Sequence, residues 1–239
     1  MKPRYFHGLL ACLFMLAQMG HAAETVMVGN TTGQSRVAQG PADVGVDMGA
    51  CRFSMPLLQD QWLQFNAPDL IFIASRQRPD PSSAPHLWQA PTSSGYEWNF
   101  ETSANRTQPW FGMMCENLGS FSSLTTQPPA DDTIELQLLR EANDRKCPAT
   151  LTENGWRPTA LAGDPQTYAF ESLEGAKSSG FIIGYHPPHQ PQFSRIAFCL
   201  MQGEQVLIGA AESGSATPLS INAAGFEQIK TAVRSIAFE

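Results

Sequence analysis

Four widely spaced cysteines constrain this chain more than any other feature: Cys51, Cys115, Cys147 and Cys199. No two are close enough for a C-x-x-C redox or zinc motif, and an even number in an oxidising compartment reads as two disulfides. Three pairings are open. Cys51–Cys115 with Cys147–Cys199 closes one long loop in each half of the chain, and Cys115–Cys147, which would join the halves, is the rival. Each bridge within a half would add about 3–4 kcal/mol by restricting the unfolded chain.

The oxidising compartment is itself read from the first residues. Lys2 and Arg4 precede an unbroken apolar run from Leu9 to Ala17, and Gly20 and Ala22 supply the small residues that a signal peptidase reads. This pattern predicts an export signal over 1–22, cut after Ala22 or one residue later, and a periplasmic or secreted mature protein. The run is shorter than the roughly 20 residues needed to cross hydrocarbon, and no second long apolar segment follows. No stable membrane insertion is expected after cleavage. Cys12 lies inside the apolar run and reads as part of the signal, not as an acylation site.

Charge narrows the partners. The net charge is −7, and it becomes −9 once Lys2 and Arg4 leave with the signal. Such a surface repels phosphate backbones, which argues against nucleic acid. Only 15% of residues are charged, against a usual level of about 25%, so polarity comes mainly from Ser, Thr, Gln and Asn.

The order of features suggests a tandem repeat. After Cys51 come Trp62, strand-like stretches at 69–75, 96–102 and 110–115, then a helix signal. There, Asp132 and Glu135 have capping-box spacing, and Ile134, Leu138, Leu139 and Ala142 follow on one face. After Cys147 come Trp156, strand-like stretches at 166–172, 180–185, 195–199 and 205–211, then a second helix signal. Asn222 can cap it, and Phe226, Ile229, Val233 and Ile236 form its apolar stripe. The expected fold class is therefore α+β. Two tandem units, 23–145 with an N-terminal arm and 146–239, would each be a small mainly antiparallel sheet covered by one helix. The proline-rich stretch 79–91 and the Pro187, Pro188 and Pro191 cluster read as surface loops.

Catalytic motifs are not found. Gly119-Ser120-Phe121-Ser122-Ser123 lacks the closing glycine of a nucleophile elbow, and cysteine chemistry needs a free thiol beside a histidine. His186-Pro187-Pro188-His189 hints at a metal pair. Extended proline geometry, rising about 3.1 Å per residue, would hold the two rings too far apart without bending, so the pair is read as a loop touching a partner. Asp131-Asp132 offsets a helix dipole. Trp62 and Trp156 are read as core anchors, whereas Trp88 and Trp110, near loops, join His186 and His189 as candidate partner contacts.

These readings converge on an exported, non-enzymatic periplasmic binding protein with a protein partner and no cofactor or metal. An immunity or inhibitor protein directed against a toxin or a cell-wall hydrolase is its concrete form. The alternatives are an envelope hydrolase whose site assembles only in the fold, and an assembly factor of an envelope machine.

Overall fold

A computed structural model of the chain describes residues 25–77, 80, 83–92, 95–102, 108–124, 133–188, 190–213 and 219–239. The expected export signal, Asp131, Asp132 and His189 lie outside the described residues.

Sixteen strands and two α-helices occur among them. In chain order these are β1 (Thr25–Gly29), β2 (Val37–Gln39), β3 (Ala42–Asp47), β4 (Arg52–Leu57), β5 (Gln61–Phe65), β6 (Leu70–Ala74), β7 (His86–Thr92), β8 (Gly95–Glu101), β9 (Trp110–Asn117), α1 (Ile134–Lys146), β10 (Ala149–Thr152), β11 (Gly155–Pro158), β12 (Tyr168–Glu174), β13 (Ser179–Tyr185), β14 (Arg195–Gln202), β15 (Gln205–Ala211), α2 (Ala223–Arg234) and β16 (Ala237–Phe238).

An eight-stranded antiparallel sheet runs β12-β13-β14-β15-β9-β6-β5-β2. Its centre is the β15·β9 pairing, in which Leu207 faces Cys115 and Gly209 faces Met113. A four-stranded sheet runs β1-β3-β4-β16, with β1 and β3 parallel. Two hairpins, β7-β8 and β10-β11, complete the strands.

Side chains alternate across a strand, so the register divides the large sheet into two faces. One face carries Phe181, Tyr185, Arg195, Cys199 and Gly112, and it is covered by α1 and both hairpins. Cys147 at the end of α1 bonds to Cys199, Trp156 of β11 packs on Phe181 with centroids 5.5 Å apart, and Phe100 of β8 sits over Gly112. A Cβ at Gly112 would occupy the Phe100 ring, so only glycine lets the hairpin approach this closely. The other face carries Phe72, Phe111 and Phe198, with Phe72 and Phe111 stacked at 4.7 Å. It is covered by α2 and the four-stranded sheet, which the Cys51–Cys115 bridge ties to β9.

Both bridges are those expected within each half of the chain, with Cα–Cα separations of 5.7 and 5.9 Å. They fit an oxidising compartment, periplasmic or extracellular. Among the described residues, no helix is long and apolar enough to cross a membrane.

The α+β expectation is corrected. The chain is mostly β, and its two helices lie on opposite faces of one large sheet instead of each covering a sheet of its own. Strands from both halves meet at β15·β9, a pairing about 90 residues apart in sequence. Strand patterns show which residues can form strands but not which strands pair over such distances.

The α1 stripe is also corrected. Ile134 is exposed, and the helix buries Arg140, Asn143, Asp144 and Lys146 beside Ala142. Its cap is Thr133, whose hydroxyl accepts from Leu136 N. In α2 the expected elements are found: Asn222 accepts from Gly225 N at 2.8 Å, and Phe226, Ile229, Val233 and Ile236 are all buried.

Candidate functional site

Two concave regions gather the polar chemistry. The larger has a volume of about 540 Å³ and lies between the β4–β5 turn, the end of β6, Gln108 and Gln228 of α2. Its shape follows from local turn chemistry. Gln61 Oε1 accepts from Leu58 N at 2.7 Å, and Gln61 N donates to Leu58 O at 3.2 Å. This closes a turn in which Asp60 takes a left-handed φ of 65°, a conformation that Asp tolerates better than most residues. Asp60 O then accepts from Ser75 N, and Ser75 O accepts from Trp62 Nε1, which fixes the turn against the end of β6.

Amide side chains dominate this groove. Gln59, Gln77, Gln108 and Gln228 are exposed, and their side chains make no hydrogen bond among the described residues. Each amide can both donate and accept. The charged groups among the described residues, Asp60 and Arg76, are bridged to each other at 3.6 Å and open to water. Leu58, Gln61 and Gln228 also line an adjoining apolar trough of about 240 Å³ along α2, with Pro56, Thr231 and Ala232. Leu58, 60% exposed, stands at the junction.

The second region is a cleft of about 160 Å³ at the C-terminal end of α1. Lys146 Nζ donates to Glu212 Oε1 at 2.7 Å and to Asn99 Oδ1, and lies 5.4 Å from the centre of the Trp98 ring. Arg195 Nε sits 3.1 Å from the same Glu212 oxygen without hydrogen-bond alignment, and its terminal nitrogen donates to Arg145 O. Burial pushes the Lys146 ammonium below its ordinary pKa, which Glu212 opposes and Arg195 reinforces. Tyr185, under the Arg195 guanidinium, has its phenol pushed up by burial. The side chains of Lys146 and Glu212 are 9% and 16% exposed, so their charges are used mainly on each other and on Asn99.

The three described partner contacts expected from sequence differ in exposure. Trp88 is 38% exposed on β7 and open to a partner. Trp110 is fully buried, because it faces inward at the start of β9 opposite Ile73, and its candidacy as a surface contact is withdrawn. His186 is half-buried edge-on to Phe193, with centroids 6.1 Å apart. Trp156 is a core anchor as expected, while Trp62 is half-buried.

Sequence reasoning missed both concave regions. The glutamines are spread over 170 positions, and only the fold brings them together. Lys146, one residue before Cys147, offered no local signal. No family model, curated protein or solved structure matches the chain.

Proposed function

We propose that the chain is an exported, non-catalytic binding protein that holds a protein partner in the groove between the β4–β5 turn and α2. The observation that carries this reading is the continuity of an amide-lined groove with an apolar trough at exposed Leu58. Unpaired amides suit a peptide backbone, which offers alternating donors and acceptors, and the trough suits an apolar anchor side chain. Among the described residues the groove's carboxylate and guanidinium, Asp60 and Arg76, are open to water and bridged, and Glu227 of the trough is bridged to Lys230, an arrangement suited to recognition more than to proton transfer. An immunity or inhibitor protein, occupying a toxin or a cell-wall hydrolase in the periplasm, is the form of this function that suits the disulfide-stapled scaffold.

The test is site-specific photocrosslinking in the native compartment. A crosslinker at Leu58 or Gln228 is expected to capture one dominant protein that the same probe at exposed Lys177 does not, and Leu58→Asp is expected to abolish the adduct formed from Gln228. Identical adducts from all three positions, or none, would overturn the reading.

One observation favours a second reading, the envelope hydrolase: the α1 cleft does bring a depressed lysine beside a carboxylate. It predicts that Lys146→Met removes an activity on envelope glycans or lipids while the protein stays folded.

A further inference from the structure

The chain is acidic overall, with 22 Asp and Glu against 15 Lys and Arg, a balance that draws basic partners at long range. The groove and its trough do not share that excess. Asp60 is bridged to Arg76 at 3.6 Å, and Glu227 to Lys230 at 2.6 Å. Lys230 also meets Glu171 at 2.9 Å, and Arg234 bridges the same Glu171, so these two carboxylates face two cations. Among the described residues, each charged group lining the two cavities is therefore compensated in place.

The hydroxyl donors of the trough are already in use. Thr231 Oγ1 donates to Glu227 O at 2.8 Å, and Ser235 Oγ donates to Ala232 O at 2.7 Å, both carbonyls of α2 itself. The trough therefore meets a ligand mainly with the apolar surface of Pro56, Leu58 and Ala232. The groove beside it does the reverse, presenting the amides of Gln59, Gln77, Gln108 and Gln228. A bound helix satisfies its own backbone, would leave those amides without partners, and docks through several anchors a turn apart. An extended segment instead leaves N–H and C=O groups to be paired, and a primary amide can meet both.

We propose that the element held in this site is an extended, uncharged segment of the partner, with one large apolar side chain seated in the trough and its backbone on the glutamine amides. This rests on the groove being the docking site, and it names which part of a partner enters: a neutral, polar loop carrying a single apolar residue. A basic surface, which the acidity of the whole chain would favour, finds no unpaired carboxylate among the described residues that line the two cavities. The contact is therefore made by apolar burial and neutral hydrogen bonds, and salt has little to screen.

Selection from a library of random short peptides on the signal-free protein tests this. Enriched peptides are expected to share one large apolar residue among Gly, Ser, Thr, Asn or Gln. The affinity of the best of them, read by fluorescence anisotropy, should change less than about twofold between roughly 50 and 500 mM salt. Thr231→Trp, at an exposed position where the indole would fill the trough, should weaken it more than about tenfold with the melting temperature unchanged. Alanine in place of the peptide's apolar residue should do the same without touching the fold of this chain. A fixed Lys or Arg with affinity falling as salt rises, apolar residues repeated at helical spacing, equal affinity after either substitution, or no enrichment would overturn the proposal. The photocrosslink from Gln228 separates the two levels. An adduct together with any of these results keeps the docking site and removes only this segment, whereas the expected peptides without an adduct keep the chemistry of the site and remove the native partner.

Discussion

The two helices are of similar length and cover opposite faces of the same sheet, yet they are held by different forces. α2 buries Phe226, Ile229, Ala232 and Val233 and a single charge, Lys230, bridged to Glu171 and Glu227. α1 buries one apolar residue of comparable standing, Ala142, among Arg140, Asn143, Asp144 and Lys146. Each of these polar groups has defined partners. Asn143 accepts from Trp98 Nε1 and donates to Ser120, Asp144 accepts from the backbone of Ser122 and Ser123, and Arg140 donates to Gly119 O. A covalent bond at its end, Cys147–Cys199, finishes the docking. Apolar burial is non-directional and tolerates small shifts, whereas a buried polar network stabilises only when every member is satisfied. α1 is therefore placed by geometry and α2 by area.

Breaking the polar network at its buried lysine should cost most. Among the described residues Lys146→Met leaves Glu212 with the poorly aligned Arg195 alone, and removing one member of a buried pair costs about 3–5 kcal/mol. Urea unfolding should show that loss, and the double variant Lys146→Met, Glu212→Leu should recover much of it. A double variant as unstable as the single one would show that shape, not charge, sets the position of α1. In α2, Ile229→Ala creates a cavity at a fully buried site, with an expected loss of about 3 kcal/mol that no second polar change restores.

The smallest effect depends on pH. Burial raises the Glu116 carboxyl above its usual 4.5, although Ser120, itself bonded to Asn143 of α1, donates to it and opposes the shift. A carboxyl raised by folding favours the folded state below pH 4.5 and loses that advantage as pH climbs through its folded value. Glu116→Gln should therefore raise the melting temperature slightly at pH 7, by the equivalent of less than about 1 kcal/mol after solvent screening. Below pH 4.5 the gain should vanish. A gain independent of pH would mean that the ionised carboxylate is not what strains this end of the network.

The same contrast explains which elements were legible. The stripe of α2 repeats apolar residues at helical spacing, so periodicity gives both the helix and its buried face. For α1 the helix was readable and its inward face was not, because Arg140, Asn143 and Lys146 read as solvent-facing until Trp98, Ser120 and Glu212 arrive from elsewhere in the chain. Trp110 stands between a loop and a strand, and only its pairing opposite Ile73 turns it inward. The groove was invisible for a related reason, since Gln59, Gln77, Gln108 and Gln228 share no motif and meet only where three elements end.

By itself the sequence determined an even set of four cysteines, the strands β6, β8, β9 and β12 to β15, and the apolar face of α2, because each depends on residues near one another or on a count of thiols. The cysteine pairing and β7, which lies in a stretch read as a loop, came from the fold. Tertiary structure alone decided that β9 and β15 pair, that α1 docks through polar groups, and where the concave surfaces lie. Those outcomes depend on contacts between residues far apart in the chain, where hydrogen bonds and packing are settled by which surfaces finally meet.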